Sequence, residues 1–249
     1  MNKSDPAAQL LLAGVLLTRL PLPRLAPAQF AQGPRAVWAY PVIGAGVGLA
    51  GVAAGQLALV LGLPDVAAGV ACLAAMIVLT GAMHEDGLAD VCDGFWGGFD
   101  PARRLEIMRD SQIGTYGVLA LGIILALRLT AVAGLLTAGW ATILVAAALS
   151  RALMPAVMAG LPPARRDGLS HSVGRPAWPA AAGALAIGGA ITLICLGSAA
   201  VPVLLLAAAA GAGVAAVARR KIGGQTGDVL GAVQQLAEVA ILLGCLALM

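Results

Sequence analysis

The chain has 249 residues, 60% of them hydrophobic and 11% charged, with a formal net charge of +3 and a mean hydropathy of +0.94. A soluble globular protein carries about 25% charged residues, so this chain has too little polar surface to face water on all sides and reads as an all-α polytopic transmembrane helix bundle, with the lipid bilayer as its solvent. Its basic residues are spread over several loops, which excludes a nucleic-acid partner, and its four cysteines, Cys72, Cys92, Cys195 and Cys245, form no Cys-x-x-Cys pair and point to neither a thiolate nucleophile nor a zinc site.

Residues 7–20 are apolar but short and predict an interfacial, re-entrant or tilted N-terminal helix. They lack the basic start and small-residue cleavage site of a signal peptide. Apolar runs long enough to span, about 20 residues each, lie near residues 38–63, 66–83, 115–137, 139–161, 178–197, 199–218 and 229–249, which predicts about seven spans. No linker or low-complexity tail divides the chain, so residues 1–249 read as a single integral-membrane domain. Small residues recur at helical spacing, as in Gly44-Ala45-Gly46-Val47-Gly48 and Gly51/Gly55. In lipid such surfaces let helices approach closely, within one chain or between copies of a homo-oligomer.

The turns between the runs are of two kinds. Those at Leu63-Pro64-Asp65, Ala138-Gly139 and residues 198–202 are tight and carry no positive charge. The others hold Arg19, Arg24, Arg35, Arg103, Arg104, Arg109, Arg165, Arg166, Arg175, Arg219, Arg220 and Lys221. The runs therefore pair as hairpins whose charged ends share one face, the cytoplasmic one by the positive-inside rule. Arg128 and Arg151 fall inside apolar runs, where an arginine requires a partner, a cavity or the interface; Arg151 is a candidate substrate contact.

The second run leads into HEDGLADVCDGFWGG, residues 84–98. Asp86, Asp90 and Asp93 are spaced i, i+4, i+7, so their side chains fall within about 60° of one another on a helix. Like charges on one helix face repel, and a cation among them removes the cost. An all-oxygen ligand set suits a hard divalent ion such as Mg²⁺, which keeps positions for water and phosphate. Glu85 points about 100° away, toward the edge of that face, where it either binds a second ion or pairs with an arginine. The unit Asp-Gly recurs at Asp86-Gly87 and Asp93-Gly94, which predicts close approach of a large ligand to the backbone. Gly97 and Gly98 end the helix.

The loop DPARRLEIMRDSQIGTYG supplies Arg103, Arg104 and Arg109 as phosphate-holding charges, with Asp110 and Ser111 beside them; Ser111 or Thr115 is placed to cap the next helix. The loop LPPARRDGLSHSVGRP adds Arg165, Arg166 and His171. After Arg219-Arg220-Lys221 comes Gly223-Gly224-Gln225-Thr226-Gly227-Asp228, where three glycines in five residues predict an anion-binding nest ahead of a helix and Asp228 an N-cap or a further metal ligand. Gly231, Gln235 and Glu238 continue a polar stripe on the side of Asp228. A Glu about two turns into an apolar span is costly and marks a function or a partner. Carboxylates on two runs, cationic loops and a glycine-rich turn at one interface are the equipment of metal-assisted phosphoryl or phosphodiester transfer.

The segments HEDGLADVCDGFWGG, RDSQIGTYG and GGQTGDVLGAVQQLAE, with SRALMPAVMAGLPPARRDGLS and LLTRLPLP, resemble the cobalamin synthase (adenosylcobinamide-GDP ribazoletransferase) family, in family order and over nearly the whole chain. The resemblance implies joining of adenosylcobinamide-GDP to α-ribazole or its 5′-phosphate with release of GMP, Mg²⁺ as cofactor, other enzymes of the same pathway as neighbours, and the bacterial inner membrane as location. It implies metal binding by Glu85, Asp86, Asp90 and Asp93, the last three being the candidate catalytic residues, and phosphate or substrate contact by Arg109, Asp110, Ser111, Gly223, Gly224, Thr226 and Asp228. To the substrate-binding candidates the residues themselves add Arg151, Arg166, Gln235 and Glu238. Two other classes fit parts of the pattern. A CDP-alcohol phosphotransferase also uses an Asp-rich helix face, but its Asp-Gly-x-x-Ala-Arg pattern is broken at Asp86-Gly-Leu-Ala-Asp90. A cation-coupled transporter is expected to show repeat halves and midplane acids, whereas the acids here gather at one interface.

Overall fold

The computed structural model describes residues 5–248; the chain ends that complete the expected single domain and last span, residues 1–4 and 249, lie outside the described residues. Among these the chain is helical, and one isolated bridge, Pro163 to Gln225, is the only extended pairing. Helix α1 (Pro6–Leu17) is short as expected and starts where the Asp5 side chain accepts the N–H of Ala7. It buries Leu12, Ala13, Leu16 and Leu17 against the bundle. Two single-turn helices, α2 (Pro27–Phe30) and α3 (Gly33–Ala36), lead into α4 (Tyr40–Val60).

A tight turn joins α4 to α5 (Asp65–Thr80). The expected span over residues 66–83 then departs from a straight rod. Gly81 and Ala82 both adopt left-handed backbone, with φ of 65° and 58°, and the chain bends by 86° into α6 (Met83–Gly97). Ala82 is the one non-glycine with positive φ among the described residues, a conformation that costs an L-residue about 1 kcal/mol. The carboxylates thus sit on a separate helix set across the bundle, not on the end of a hydrophobic one. Helix α7 (Pro101–Ile107) follows, then α8 (Thr115–Ala138), α9 (Ala141–Gly160), the short α10 (Gly168–Val173), α11 (Trp178–Leu196), α12 (Ala200–Ile222) and α13 (Gly227–Ala247).

By apolar length, five stretches among the described residues are able to cross a membrane, or six with the bent pair counted as one. One of them, Trp178–Ile222, is 45 residues long and folds as two helices. The chain reverses at Gly197, whose φ is +55°, and Gly188 of α11 and Gly211 of α12 both pack on neighbouring residues of α9, Ala152 and Leu153. Every apolar run read from the sequence is therefore found as a helix. Helices α9 and α13 occupy the middle and are buried along most of their length. The small-residue row of α4 serves helix packing: a Cβ on Gly48 would lie 3.0 Å from Ala147 and Leu144 of α9, and one on Gly51 would lie 2.6 Å from Met76 of α5.

The charged loops meet at one end of the bundle. Arg104 donates to the carbonyls of Gly98, Lys221 and Phe99 at 3.0, 2.9 and 3.0 Å, closing the C-termini of α6 and α12 together. Lys221 Nζ donates to the Phe95 carbonyl at 3.0 Å. Gln225 and the Pro162–Ala164 segment exchange two backbone hydrogen bonds, of 2.9 and 2.8 Å.

Candidate active site

Helix α6 lies between α8 and α13 at this charged end, and glycine sets the spacing. A Cβ on Gly87 would come within 2.9 Å of the Asp228 backbone, and one on Gly231 within 3.1 Å of the His84 carbonyl. The glycines of the Asp-Gly repeat thus admit neighbouring helices and not a ligand: Gly87 receives α13, and Gly94 receives Met108 and the Arg104 carbonyl of α7. This packing sets Asp228, at the start of α13, beside the acidic face of α6.

The three aspartates of that face have different fates. Asp86 is exposed, Asp90 is half-buried, and neither carboxylate has a hydrogen bond or ion pair among the described residues. Asp93 is buried, and its oxygens accept the N–H groups of Gly114 and Gly117 at 2.7 and 2.9 Å. The N-terminus of α8 is therefore capped from another helix, not by Ser111 or Thr115. Asp228 accepts Arg165 Nη2 at 3.1 Å and the Thr226 hydroxyl at 3.1 Å. The charges of Asp86, Asp90, Asp93, Asp228 and Arg165 act on one another. Among the described residues, no three His, Cys, Asp or Glu side chains close tightly enough to hold a metal ion unaided.

Asp86 borders two hollows. One, of about 130 Å³, is lined by apolar side chains from α1, α9 and α10, by Tyr40 of α4, and by Asp86, Arg165, Ser170 and Asp228 at its rim. The other, of about 360 Å³, is polar and is lined by Asp86, Asp90, Arg109, Asp110 and Ser111. Arg109 reaches across the loops to Asp167, with Nη2 at 2.7 and 2.6 Å from the two carboxylate oxygens, and Arg165 Nε lies 3.5 Å from the same carboxylate. Asp110 accepts the Gln112 N–H at 3.1 Å, while Ser111, Arg166 and His171 are exposed.

The glycine-rich turn is used differently from an anion nest. Gly224 is packed against the Pro162 carbonyl with no room for a side chain, and the Gln225 N–H is already bound there. Gly223 caps the end of α12 with φ +76°. Thr226, not Asp228, is the N-cap of α13, its hydroxyl accepting the Val229 N–H at 3.3 Å. The turn locks the loop after α9 onto α13 and so presents Arg165 to Asp228.

Four further candidates lie away from both hollows in a buried polar network. Arg128, 2% exposed, donates to Glu85 and Glu238 at 2.7 Å each and to Gln235 at 3.0 Å. Gln235 also donates to Glu85 at 3.0 Å and to Gln234 at 2.8 Å. Gln234 donates to Ser150 at 3.1 Å and to Glu238. Arg151 lies 3.6 Å from Glu238 and donates to the Ala147 carbonyl at 3.0 Å. Two arginines and two glutamates balance, so the cluster joining α6, α8, α9 and α13 is neutral overall. The intramembrane arginines have found partners, and Glu85 pairs with Arg128. Sequence reasoning missed Asp167, Ser150 and Gln234; Asp167, next to two arginines, had a readable signal, while the other two are single polar residues in apolar runs.

A model of the family described as cobalamin-5-phosphate synthase matches residues 9–246. A Bradyrhizobium diazoefficiens protein named adenosylcobinamide-GDP ribazoletransferase is 45% identical over 95% of this chain and 92% of its own. Proteins of the same name from Azorhizobium caulinodans, 44% identical over 92% of this chain and 91% of theirs, and Sinorhizobium medicae, 43% identical over 86% of each, are also similar. No solved structure matches. With its charged loops gathered at one end of an apolar bundle and the match running almost from end to end, the chain belongs to the cobalamin-5-phosphate synthase family, whose members are transferases of cobalamin synthesis.

Proposed function

We propose that this chain joins adenosylcobinamide-GDP to α-ribazole or its 5′-phosphate, giving adenosylcobalamin or its 5′-phosphate and GMP, with Mg²⁺ as cofactor and the charged end of the bundle facing the cytoplasm of the bacterial inner membrane. The observation that carries the reading is the pair of unengaged carboxylates, Asp86 and Asp90, set beside Asp228 between two hollows in a chain of this family. Unpaired carboxylates on one helix face repel, and oxygen donors of this kind suit Mg²⁺. Asp86 and Asp90 fit as its holders, with Asp228, paired to Arg165, beside them and the remaining positions left to phosphate and water. Bound there, Mg²⁺ supplies charge neutralisation and Lewis acidity at the reacting phosphate.

The chain's own residues do the positioning. Arg109 and Arg165 hold phosphate oxygens, Arg109 over the polar hollow and Arg165 at the rim of the other. Asp93, tied to the start of α8, fixes the inclination of α6, and the Arg128 network fixes its far end. An acceptor hydroxyl brought to the rim beside Asp86 forms a new P–O bond to the phosphorus attached to the corrinoid's side chain, the phosphoanhydride bond breaks with its bridging oxygen leaving on GMP, and the hydroxyl proton passes to solvent.

The test is an assay on detergent-purified protein with adenosylcobinamide-GDP and α-ribazole 5′-phosphate, with Mg²⁺ or with EDTA. The reading expects equimolar GMP and corrinoid product that stop with EDTA and return with excess Mg²⁺. No GMP from protein that unfolds cooperatively overturns it.

A further inference from the structure

The hollow of about 130 Å³ beside Asp86 has walls of one character and a rim of another. Its walls include Leu17, Met158 and Val173, which are 3%, 1% and 6% exposed. Two polar groups stand among them without partners. The hydroxyl of Tyr40, a residue 3% exposed, makes no hydrogen bond among the described residues. Both ring nitrogens of His84, 1% exposed, are likewise unpaired. A buried polar group left unmade costs about 1–3 kcal/mol; the His84 imidazole bears that cost on this lining, and the unbonded Tyr40 hydroxyl offers a hydrogen-bond partner to a ligand that enters. The rim is polar, with Asp86, Asp228 and Arg165.

Resting on the transferase reading above, we propose that this cavity is the subsite for the base of the acceptor: a flat, largely apolar nitrogen heterocycle of one or two rings enters between Leu17, Met158 and Val173, and its sugar stays at the rim beside Asp86. The volume decides between the two substrates. An apolar cavity of about 150 Å³ holds one benzene ring, so one of about 130 Å³ encloses little more than a single flat ring, leaves a fused second ring at its open rim, and excludes a corrinoid. The enclosed wall disfavours guanine, whose edges carry several hydrogen-bonding groups: away from the rim, where Asp86, Arg165, Ser170 and Asp228 stand, Tyr40 and His84 are its polar side chains. An azole ring nitrogen accepts from the Tyr40 hydroxyl. The other hollow, polar and bordered by Arg109, is left for the phosphates of the activated substrate. Asp86, shared by both, stands between the reacting groups.

The experiment uses benzimidazole as the probe, with direct binding by calorimetry on the detergent-purified chain and inhibition kinetics against each substrate. Benzimidazole is expected to bind without the second substrate, to compete with α-ribazole, and not to compete with adenosylcobinamide-GDP. Tyr40→Phe removes one hydroxyl without changing shape and is expected to raise KM for α-ribazole roughly 2–10-fold, the worth of one hydrogen bond, with KM for adenosylcobinamide-GDP unmoved. Val173→Phe fills the cavity and is expected to abolish benzimidazole binding. Competition with adenosylcobinamide-GDP, equal shifts of both KM values, or an α-ribazole KM unmoved by Tyr40→Phe overturns the assignment. Benzimidazole binding that is lost in Val173→Phe, in a chain that transfers nothing, supports the cavity and overturns the reaction instead.

Discussion

Arg128→Met is the most searching perturbation of the bundle. The guanidinium makes charge-assisted bonds of 2.7 Å to both Glu85 and Glu238 at 2% exposure. Its loss leaves Glu85 with the Gln235 amide alone, and Glu238 with the Gln234 amide and Arg151 at 3.6 Å. The cluster goes from neutral to one net negative charge in buried surroundings. Breaking a buried pair from one side costs about 3–5 kcal/mol. At about 2–4 °C per kcal/mol for a chain of this size, that is a fall in Tm of roughly 6–20 °C. Tryptophan fluorescence during thermal unfolding in detergent reads it directly. Arg128→Met combined with Glu85→Gln restores neutrality and is expected to recover at least half of the loss, because unpaired charge and not missing volume causes it. A single variant within about 2 °C of the wild type, or a double variant no better than the single, would refute the reasoning.

Other expectations follow from the same geometry. Asp93→Asn keeps one acceptor oxygen for the start of α8, so it is expected to cost about 1 kcal/mol of stability and to reduce transfer by less than tenfold; loss of all transfer in stably folded protein would return Asp93 to the catalytic set. Gly87→Ala places a Cβ 2.9 Å from the Asp228 backbone, and overpacking of this kind costs about 1–3 kcal/mol, read as a lower Tm and slower turnover together. Asp167→Asn frees Arg109 from an exposed ion pair worth up to about 1 kcal/mol, so KM for adenosylcobinamide-GDP is expected to fall by up to about fivefold; a rise in KM would mean that Asp167 serves the loop's order and not as a stand-in for phosphate.

The sequence carries the helices and the shared charged end because hydrophobic periodicity and charge are local properties. The one-face spacing of Asp86, Asp90 and Asp93 is likewise local geometry, and it places Asp86 and Asp90 at the hollows. What each carboxylate does is not local. Asp93 is engaged only because α7 turns the chain back and sets α8 against α6. Glu85 meets an arginine 43 residues away, and that any intramembrane arginine needs a partner was legible while the partner was not. Glycine is ambiguous by nature: the missing side chain that admits a ligand equally admits a helix, and at Gly87, Gly94 and Gly224 it admits protein. The bend at Gly81-Ala82 had half a signal, since the glycine favours left-handed backbone and the alanine does not.

The most direct measurement is turnover of Asp86→Asn and Asp90→Asn at saturating substrates across a Mg²⁺ titration, beside their thermal unfolding. With both carboxylates as metal holders free of protein partners, transfer falls by roughly two orders of magnitude or more while Tm stays within about 2 °C of the wild type. Wild-type turnover at low Mg²⁺ in either variant would contradict the account.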